Sequence, residues 1–357
     1  MSVLDQLQAG LARRVPHAFK AAYYRCRKVL PGGAGAYELI CGKTLRRLRG
    51  DVLRRSGGAS TVATTNCGLL ASGTGFIGVY KAGTFNSCWE LAIRVPRETE
   101  PGVRQTLWLA DFDSRCRLVN HRPISATFAD GAIPVERSGI VEDARLARHG
   151  EEIVITANFV PYPAGPESFP DQRSAWPLIG VLDIPRARIE CRRMRLAGAS
   201  PPQKNWVPFS VAGQLYLEYS VSPHRILAVD PATGACQTAW MSSTPAGDRF
   251  PPGYLKGGAP PISLGGSMLG ACHAWDLNRD GQRDYRTYFY LFSSAPPFQV
   301  LGISRPLKLV VPHRIQYLVG MTLDEAGDRL VLSFGVCDCD NYFVGVPLRR
   351  ILALIET

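Results

Sequence analysis

Five strand–turn–strand patterns recur along the chain, and they limit the folds that it can adopt. Each pattern has an apolar run, a short turn that contains glycine, and a second apolar run. The five pairs are Cys67–Ala71 with Phe76–Tyr80, Ala144–Ala147 with Glu152–Phe159, Val207–Val211 with Gln214–Ser220, Pro261–Leu264 with Ser267–Ala274, and Leu318–Leu323 with Arg329–Gly335. Successive units begin about 55–75 residues apart, and a further strand-like run follows each. This repeat predicts an all-β fold, a five-bladed β-propeller, over an irregular β-sandwich, which would not need regular spacing.

The net charge of +11 is concentrated before the first unit. Residues 1–55 hold twelve Lys and Arg against three Asp and Glu. The segments Leu11–Leu30 and Gly42–Arg55 look helical, so we expect a basic, largely helical extension over residues 1–58 and the propeller over 59–357. The extension either packs on the propeller or offers residues 1–55 to anionic lipid or an acidic protein. Nucleic acid is not expected as a partner, because no binding motif accompanies the charge.

The sequence predicts a cytoplasmic protein, with a peripheral position at the inner face of the membrane as an alternative. No secretory signal or long apolar span is recognisable, and the ten cysteines are interpreted as reduced. No metal or cofactor is expected. The pair Cys337 and Cys339 has no second pair to complete a zinc site. The segment Asp276–Asp284 matches the start of a calcium loop, but Thr287 stands at position twelve, so a polar hairpin loop is favoured.

Polar residues stand near the starts of the inner strands, which converge on the central channel of a propeller. We therefore expect Asp143, Lys204, His273 and Asp338 to share one pocket, although they are distant in sequence. A carboxyl beside Arg145 at a strand entrance fits a general acid. The alternative for this segment is a surface ion pair.

The remaining candidates would bind substrate. Asn205 and Trp206 suit a sugar ring, with the indole stacked on its face, although a core Trp is equally compatible; His224 follows on the next turn. Lys256 lies near a Gly-rich turn, where an ammonium and an imidazole can hold an anion. Asp340 joins Asp338 in an apolar segment, where carboxylates are costly unless they are hydrogen-bonded or functional.

These segments together resemble the five-bladed propellers of glycoside hydrolase family 130, the β-mannoside phosphorylases, and the related inverting mannosyltransferases. The matching pieces lie in the family's order between about residues 60 and 350 and are Val141–Arg145, Lys204–Phe209, Gly257–Ile262, the strand that ends in His273, and Phe334–Asp340. The sequence departs from the family at Ala144, where Pro is usual, and at Lys256, where Arg is more common.

The resemblance implies an inverting glycosyl-transfer enzyme of phosphorylase or transferase type, acting on an oligo- or polysaccharide. Asp143 would be the general acid, Lys204, Lys256 and His273 would hold phosphate, a sugar phosphate or a nucleotide sugar, and Asp338 would bind sugar hydroxyls. Two alternatives stay open: a glycoside hydrolase on the same propeller, and a non-catalytic carbohydrate-binding propeller in polysaccharide assembly. The sugar, the linkage and the donor do not follow from the sequence.

Overall fold

The computed structural model describes most of the chain after residue 61 and two short segments before it. The described residues are 38–39, 45–48, 62–84, 106–130, 134–164, 171–245, 250–251, 253–277, 283–309, 315–336 and 340–356. Within them the protein is almost entirely β, with 26 strands and two short α-helices.

The first three sheets are hairpin meanders. The first contains β3 (Val62–Ser72), β4 (Gly75–Thr84), β5 (Thr106–Phe112) and β6 (Leu118–Pro123). The second contains β8 (Gly139–His149), β9 (Glu152–Pro161), β10 (Trp176–Asp183) and β11 (Arg188–Arg193), with β7 (Ser125–Phe128) parallel to β11. The third contains β13 (Val207–Val211), β14 (Gln214–Val221), β15 (His224–Val229) and β16 (Ala235–Ser242), with β12 (Arg195–Leu196) parallel to β16. In the second and third sheets, the outermost strand (β7 or β12) thus comes from the segment that connects the sheet to the preceding one.

The other two sheets combine strands from both ends of the chain. The fifth contains β23 (Gln316–Leu323), β24 (Arg329–Val336), β25 (Asp340–Pro347) and, outermost, β2 (Leu45–Leu48). The fourth is built on β19 (Ser267–Leu277) and β20 (Arg283–Ser293). Its other strands are β17 (Lys256–Gly257), β18 (Ile262–Ser263), β21 (Val300–Ser304), β22 (Leu307–Lys308), β1 (Glu38–Leu39) and β26 (Ile355–Glu356). The helices are α1 (Val135–Ser138) and α2 (Leu348–Leu352), and a 3₁₀ turn covers Gln172–Ser174.

The propeller prediction is confirmed, and all five predicted hairpins are present. The expected count of five blades is wrong. Four sheets are regular blades, whereas the fourth sheet branches, because β17 and β18 both pair with β19 and the outer side divides between β21 and β22. Prolines explain both divisions, since Pro260 and Pro261 separate β17 from β18, and Pro306 separates β21 from β22. Proline has no N–H to donate to a neighbouring strand.

The N-terminal extension is described only in part. Leu45–Leu48 lies in the predicted helical segment Gly42–Arg55 but forms strand β2, which pairs with β25. An unpaired sheet edge favours the addition of a strand, and this pairing overrides the local helical preference. The segment Leu11–Leu30 lies outside the described residues, and a domain boundary at residue 58 stays a prediction. Among the described residues, no helix has the length and apolar character needed to cross a bilayer.

The hydrophobic core lies between adjacent sheets. Strands within the sheets are therefore buried on both faces, and β9 and β19 each have a continuous run of buried positions. Phe159, Leu217 and Phe334 are at most 1% exposed, and full burial of such a side chain contributes about 1.5–3 kcal/mol. Polar side chains within this core stand out because they must find partners there.

Candidate active site

Three polar residues with left-handed backbone conformations lie at the inner edges of the first three sheets. Asn66, Asp143 and Asn205 have φ angles of 54°, 57° and 64°. Asn66 and Asp143 occupy bulges, where the register of the inner strand shifts against its neighbour. Asn and Asp adopt this conformation more readily than other non-glycine residues, although it still costs about 1–3 kcal/mol. A bulge redirects a side chain, and here the bulges aim polar groups at the centre of the ring.

The carboxyl of Asp143 is held between two amides. Nδ2 of Asn66 donates to its Oδ1 at 2.6 Å, and Nδ2 of Asn158 donates to its Oδ2 at 3.0 Å. Burial raises the pKa of Asp143, and the neighbouring charge of Glu142 raises it further, against the opposing effects of Arg145 and two lysines. A carboxyl that is fixed in place and retains its proton above the ordinary range has the properties of a general acid.

Glu142 precedes Asp143 in the same bulge and has the opposite electrostatic environment. Its Oε1 lies 2.6 Å from Nζ of Lys204, and its Oε2 lies 3.5 Å from Nζ of Lys81. Burial opposes ionisation of Glu142, but the two ammonium groups outweigh it and lower its pKa to about 2. The surroundings therefore shift the pKa values of the two adjacent carboxyls in opposite directions, upward for Asp143 and downward for Glu142.

Arg145 is fully buried and connects the sheets around Asp143. Its Nε donates to the carbonyl of Gly258 at 2.7 Å, and another nitrogen donates to the backbone carbonyl of Asp143 at 2.7 Å. The third nitrogen donates to Oδ1 of Asn205 at 3.1 Å and to the hydroxyl of Tyr317. All these partners belong to the protein, so the contacts give Arg145 a positioning role, and its substrate contact stays a prediction.

Lys204 and Asn205 enter the same cluster from the segment before β13. Asn205 exchanges hydrogen bonds with Asn158, since its backbone N–H donates to Oδ1 of Asn158 and Nδ2 of Asn158 donates back to its Oδ1, each at 2.9 Å. The ammonium of Lys204 also donates to Oε1 of Gln172. Lys204 is partly exposed and Gln172 is exposed, so the cluster opens to solvent on this side.

His273 and Lys256 stand opposite each other on β19 and β17. The ring of His273 packs edge-on to Tyr317 at 4.7 Å and parallel to Tyr285 at 5.7 Å. Burial, together with the charges of Arg145 and Lys256, lowers the pKa of His273 to about 3. The imidazole is therefore neutral at pH 7, and its contact with an anion, which it could make as a neutral donor, stays a prediction. Its Nδ1 has no hydrogen-bond partner among the described residues, whereas Lys256 is exposed.

All five sheets contribute to this central cluster. It consists of Asn66, Lys81, Glu142, Asp143, Arg145, Asn158, Lys204, Asn205, Lys256, His273 and Tyr317. Four of its side chains are cations, the carboxylate of Glu142 is an ion-paired anion, and the pKa of Asp143 is raised by burial and by Glu142. A positive surplus in a poorly hydrated site favours an anionic ligand.

The structure does not bring every predicted residue to the cluster. His224 is fully buried between the third and fourth sheets, where its Nδ1 lies 2.7 Å from the carbonyl oxygen of Phe298 and its Nε2 lies 3.2 Å from Oε2 of Glu218. Trp206 is 2% exposed and packs on Tyr219, so it is a core residue and does not offer a face to a sugar. Asp338 lies outside the described residues, and Asp340 is described only as the first residue of β25.

The acidic hairpin loop also has structural partners. Asp276 and Asp284 face each other on β19 and β20. The first pairs with Arg286 at 2.6 Å, and the second pairs with Lys308. The predicted hairpin is therefore confirmed, while its tip at residues 278–282 lies outside the described part of the chain.

Sequence reasoning missed five members of the cluster: Asn66, Lys81, Glu142, Asn158 and Tyr317. A positional signal was available for two of them. Asn66 directly precedes the first apolar run of its unit, as Asp143 does in the second unit and Tyr317 does in the fifth. The residue directly before the first apolar run of each unit is therefore the one to inspect. Lys81 and Asn158 lie on second strands, and nothing in the local sequence distinguishes them.

Comparison with known proteins gives structural matches alone. No family model matches the sequence, and no curated protein matches it. A β-1,2-mannobiose phosphorylase from Listeria innocua aligns with a TM-score of 0.57 and 12% identity over 87% of this chain and 99% of its own. A glycosyl hydrolase from Bacteroides ovatus aligns with a TM-score of 0.55 and 10% identity over 88% and 95%. A GDP-Man-dependent mannosyltransferase from Leishmania mexicana aligns with a TM-score of 0.53 and 11% identity over 93% and 95%. The fold expected from the sequence resemblance is thus confirmed.

Proposed function

We propose that this protein is an inverting glycosyl-transfer enzyme, a β-mannoside phosphorylase or a transferase that runs from an activated mannose, with Asp143 as the general acid. The observation that carries the proposal is the carboxyl of Asp143, which is held by two amides and retains its proton beside a surplus of cations. Solved structures of the same fold include a mannobiose phosphorylase and a mannosyltransferase, and this similarity supports the choice of chemistry.

The reaction needs one acid and an anionic nucleophile. In phosphorolysis, Asp143 gives its proton to the glycosidic oxygen as that bond breaks, and a phosphate oxygen forms the new bond from the opposite face of the sugar. In synthesis, the Asp143 carboxylate takes the proton of the acceptor hydroxyl while phosphate or a nucleotide leaves. No second carboxylate is required as a base, because phosphate itself attacks. Glu142 is already paired with Lys81 and Lys204, which leaves it poorly suited to activate water.

The cations define where the anion would bind. Lys204 and Lys256 both reach solvent at the edge of the cluster, and ammonium groups are effective phosphate ligands. A hydrolase would need a second carboxylate about 6.5–9.5 Å from the acid to seat a water. Among the side chains that the structure describes, the carboxylate next to Asp143 is the ion-paired Glu142, and this favours phosphate or a sugar phosphate over water.

A donor screen tests the proposal. The purified full chain is incubated with β-1,2-mannobiose plus inorganic phosphate, and separately with mannose 1-phosphate or GDP-mannose plus mannose, and products are identified by mass spectrometry. We expect product in at least one arm and none with Asp143→Asn. Release of mannose without any dependence on phosphate would identify a hydrolase. Sugar binding without turnover in any arm would identify a carbohydrate-binding propeller.

We also propose that the enzyme acts in the cytoplasm and docks on anionic membrane through residues 1–55. The surplus of nine positive charges in this segment supports the proposal, since each base near an anionic surface contributes about 1 kcal/mol. Deletion of the segment would be a poor test, because β1 and β2 pair with the fourth and fifth sheets. Replacement of Arg13, Arg14 and Lys20 by Gln in the full chain should weaken sedimentation with phosphatidylserine vesicles at low salt. Equal sedimentation of both proteins would contradict the docking proposal.

A further inference from the structure

We propose that Glu142 is a positioning residue that allows Asp143 to keep its proton, because Glu142 neutralises the two lysines that would otherwise hold Asp143 ionised. The inference rests on the proposed function, in which Asp143 must deliver a proton. It concerns the protonation of Asp143 in the protein itself, so it can be tested separately from turnover.

The geometry places Glu142 between the two lysines. One carboxylate oxygen faces Lys204 from the third sheet, and the other faces Lys81 from β4 of the first sheet, at 2.6 and 3.5 Å. The side chains of Glu142 and Lys81 are 13% and 9% exposed, so water screens these charges only in part. Without Glu142, the two lysines would lose this counter-charge, and the charges of both favour ionisation of Asp143.

The other groups that face Asp143 do not replace Glu142. Arg145, on the same strand, favours the ionised form, but its donors are directed at backbone and side-chain oxygens. Tyr317, on β23, is neutral, since burial raises the pKa of its phenol. The amides of Asn66 and Asn158 carry no charge. Glu142 is therefore the one negative charge among the described groups that oppose ionisation of Asp143, and its neighbouring charge adds to the effect of burial.

This arrangement links anion binding to the proton. An anion that binds at Lys204 brings a further negative charge close to Asp143 and strengthens its hold on the proton. By thermodynamic reciprocity, the protonated form of Asp143 must then bind the anion more tightly than the ionised form does. Asp143 would thus be protonated when the anionic co-substrate binds.

Titration of the Asp143 carboxyl in the full chain tests the inference. Asp side chains are labelled with ¹³C, the Asp143 signal is identified by its absence in Asp143→Asn, and its chemical shift is followed against pH without ligand. In Glu142→Gln we expect the titration midpoint to fall by about 1–3 pH units, the range for a nearby charge. In Lys204→Met we expect it to rise. Glu152→Gln, an exposed carboxylate on the same hairpin, should leave it unchanged.

An unchanged or higher midpoint in Glu142→Gln would overturn the inference. If that variant did not fold, the direction of the shift in Lys204→Met would decide, and a fall there would equally overturn it. In an active enzyme, the alkaline limb of the pH–rate profile should move with the midpoint. If no donor supports turnover, the proposed function fails, while the carboxyl titration still decides the role of Glu142.

Discussion

Two polar clusters in this molecule contain the same kinds of side chain but differ in their access to solvent. The central cluster combines carboxyls with His273 and Tyr317, and the second, here called the closed cluster, combines Glu218 with His224 and Tyr290. In the closed cluster the Tyr290 hydroxyl donates to Oε2 of Glu218, and all three residues are at most 1% exposed. In the central cluster the carboxyls of Glu142 and Asp143 are only partly buried.

The two clusters differ in the pairing of their histidines, although Oε1 of Glu218 also has no hydrogen-bond partner among the described residues. Both ring nitrogens of His224 have oxygen partners, whereas Nδ1 of His273 has none among the described residues. None of the three residues of the closed cluster has the left-handed backbone found at Asp143. A strained backbone and access to solvent therefore distinguish the central cluster as a candidate ligand site, whereas an unpaired buried polar atom occurs in both clusters. The predicted substrate contact of His224 therefore has no support in its surroundings.

The largest contrast is expected in activity. Asp143→Asn should lower the transfer rate by about 10²–10⁴-fold, because an amide cannot donate the required proton. The fold should persist, since Asn also tolerates the left-handed backbone at this position. Initial rates and thermal unfolding of the variant measure both effects. A variant that retained most of its activity would make Asp143 structural.

The second contrast concerns stability. Glu218→Ala should lower the free energy of unfolding by about 3–5 kcal/mol, because it leaves the Tyr290 hydroxyl and the His224 ring buried without their charged partner. Asp143→Asn keeps a residue type that tolerates the left-handed backbone, at a partly exposed position, and should cost much less. Urea unfolding of the two variants tests this order, and an equal loss in both would remove the distinction between the clusters.

A smaller contrast appears as stability changes with pH. The folded pKa of Glu142 is lowered to about 2, so its stabilising effect is present above its ordinary pKa near 4.5 and is lost as the pH falls toward 2. Asp143 has a raised pKa, so its contribution has the opposite sign and is lost as the pH rises through its folded value. Urea midpoints measured from pH 2 to 7 should show a weaker acid dependence in Glu142→Gln. If the variant and the unmodified protein lost stability equally as the pH fell, groups other than Glu142 would be responsible for the acid sensitivity.

The smallest effect is expected outside both clusters. Glu190 and Arg192 form an exposed ion pair at 2.9 Å on β11. Glu190→Gln should change the free energy of unfolding by about 0–1 kcal/mol and leave the transfer rate unchanged. This variant is the control for the other substitutions. A large loss of unfolding free energy in Glu190→Gln would show that replacing a carboxylate is costly even at an exposed position.

The sequence predicted the fold better than the site, for a physical reason. Apolar runs and glycine turns are local signals, so the five hairpins could be found one at a time. The site is assembled across sheets: the Lys81–Glu142 pair spans 61 residues and the Arg145–Tyr317 contact spans 172. Asp143 and Lys204 were found because they stand at strand entrances. Trp206 was ambiguous, because neighbours in a strand face opposite sides and an adjacent Asn205 does not place the indole in the site.

Strand β2 precedes all the blades in sequence but pairs with β25 of the fifth sheet, so that sheet can be completed only after the other blades have been synthesised. Leu45 pairs with Val344, so the ribosome makes the two partners roughly 300 residues apart, and the fifth sheet stays incomplete until β25 has been synthesised. Loop entropy rises only slowly with length, so the main cost of this arrangement is time. Until β2 arrives, β25 presents a bare edge that another nascent chain could occupy.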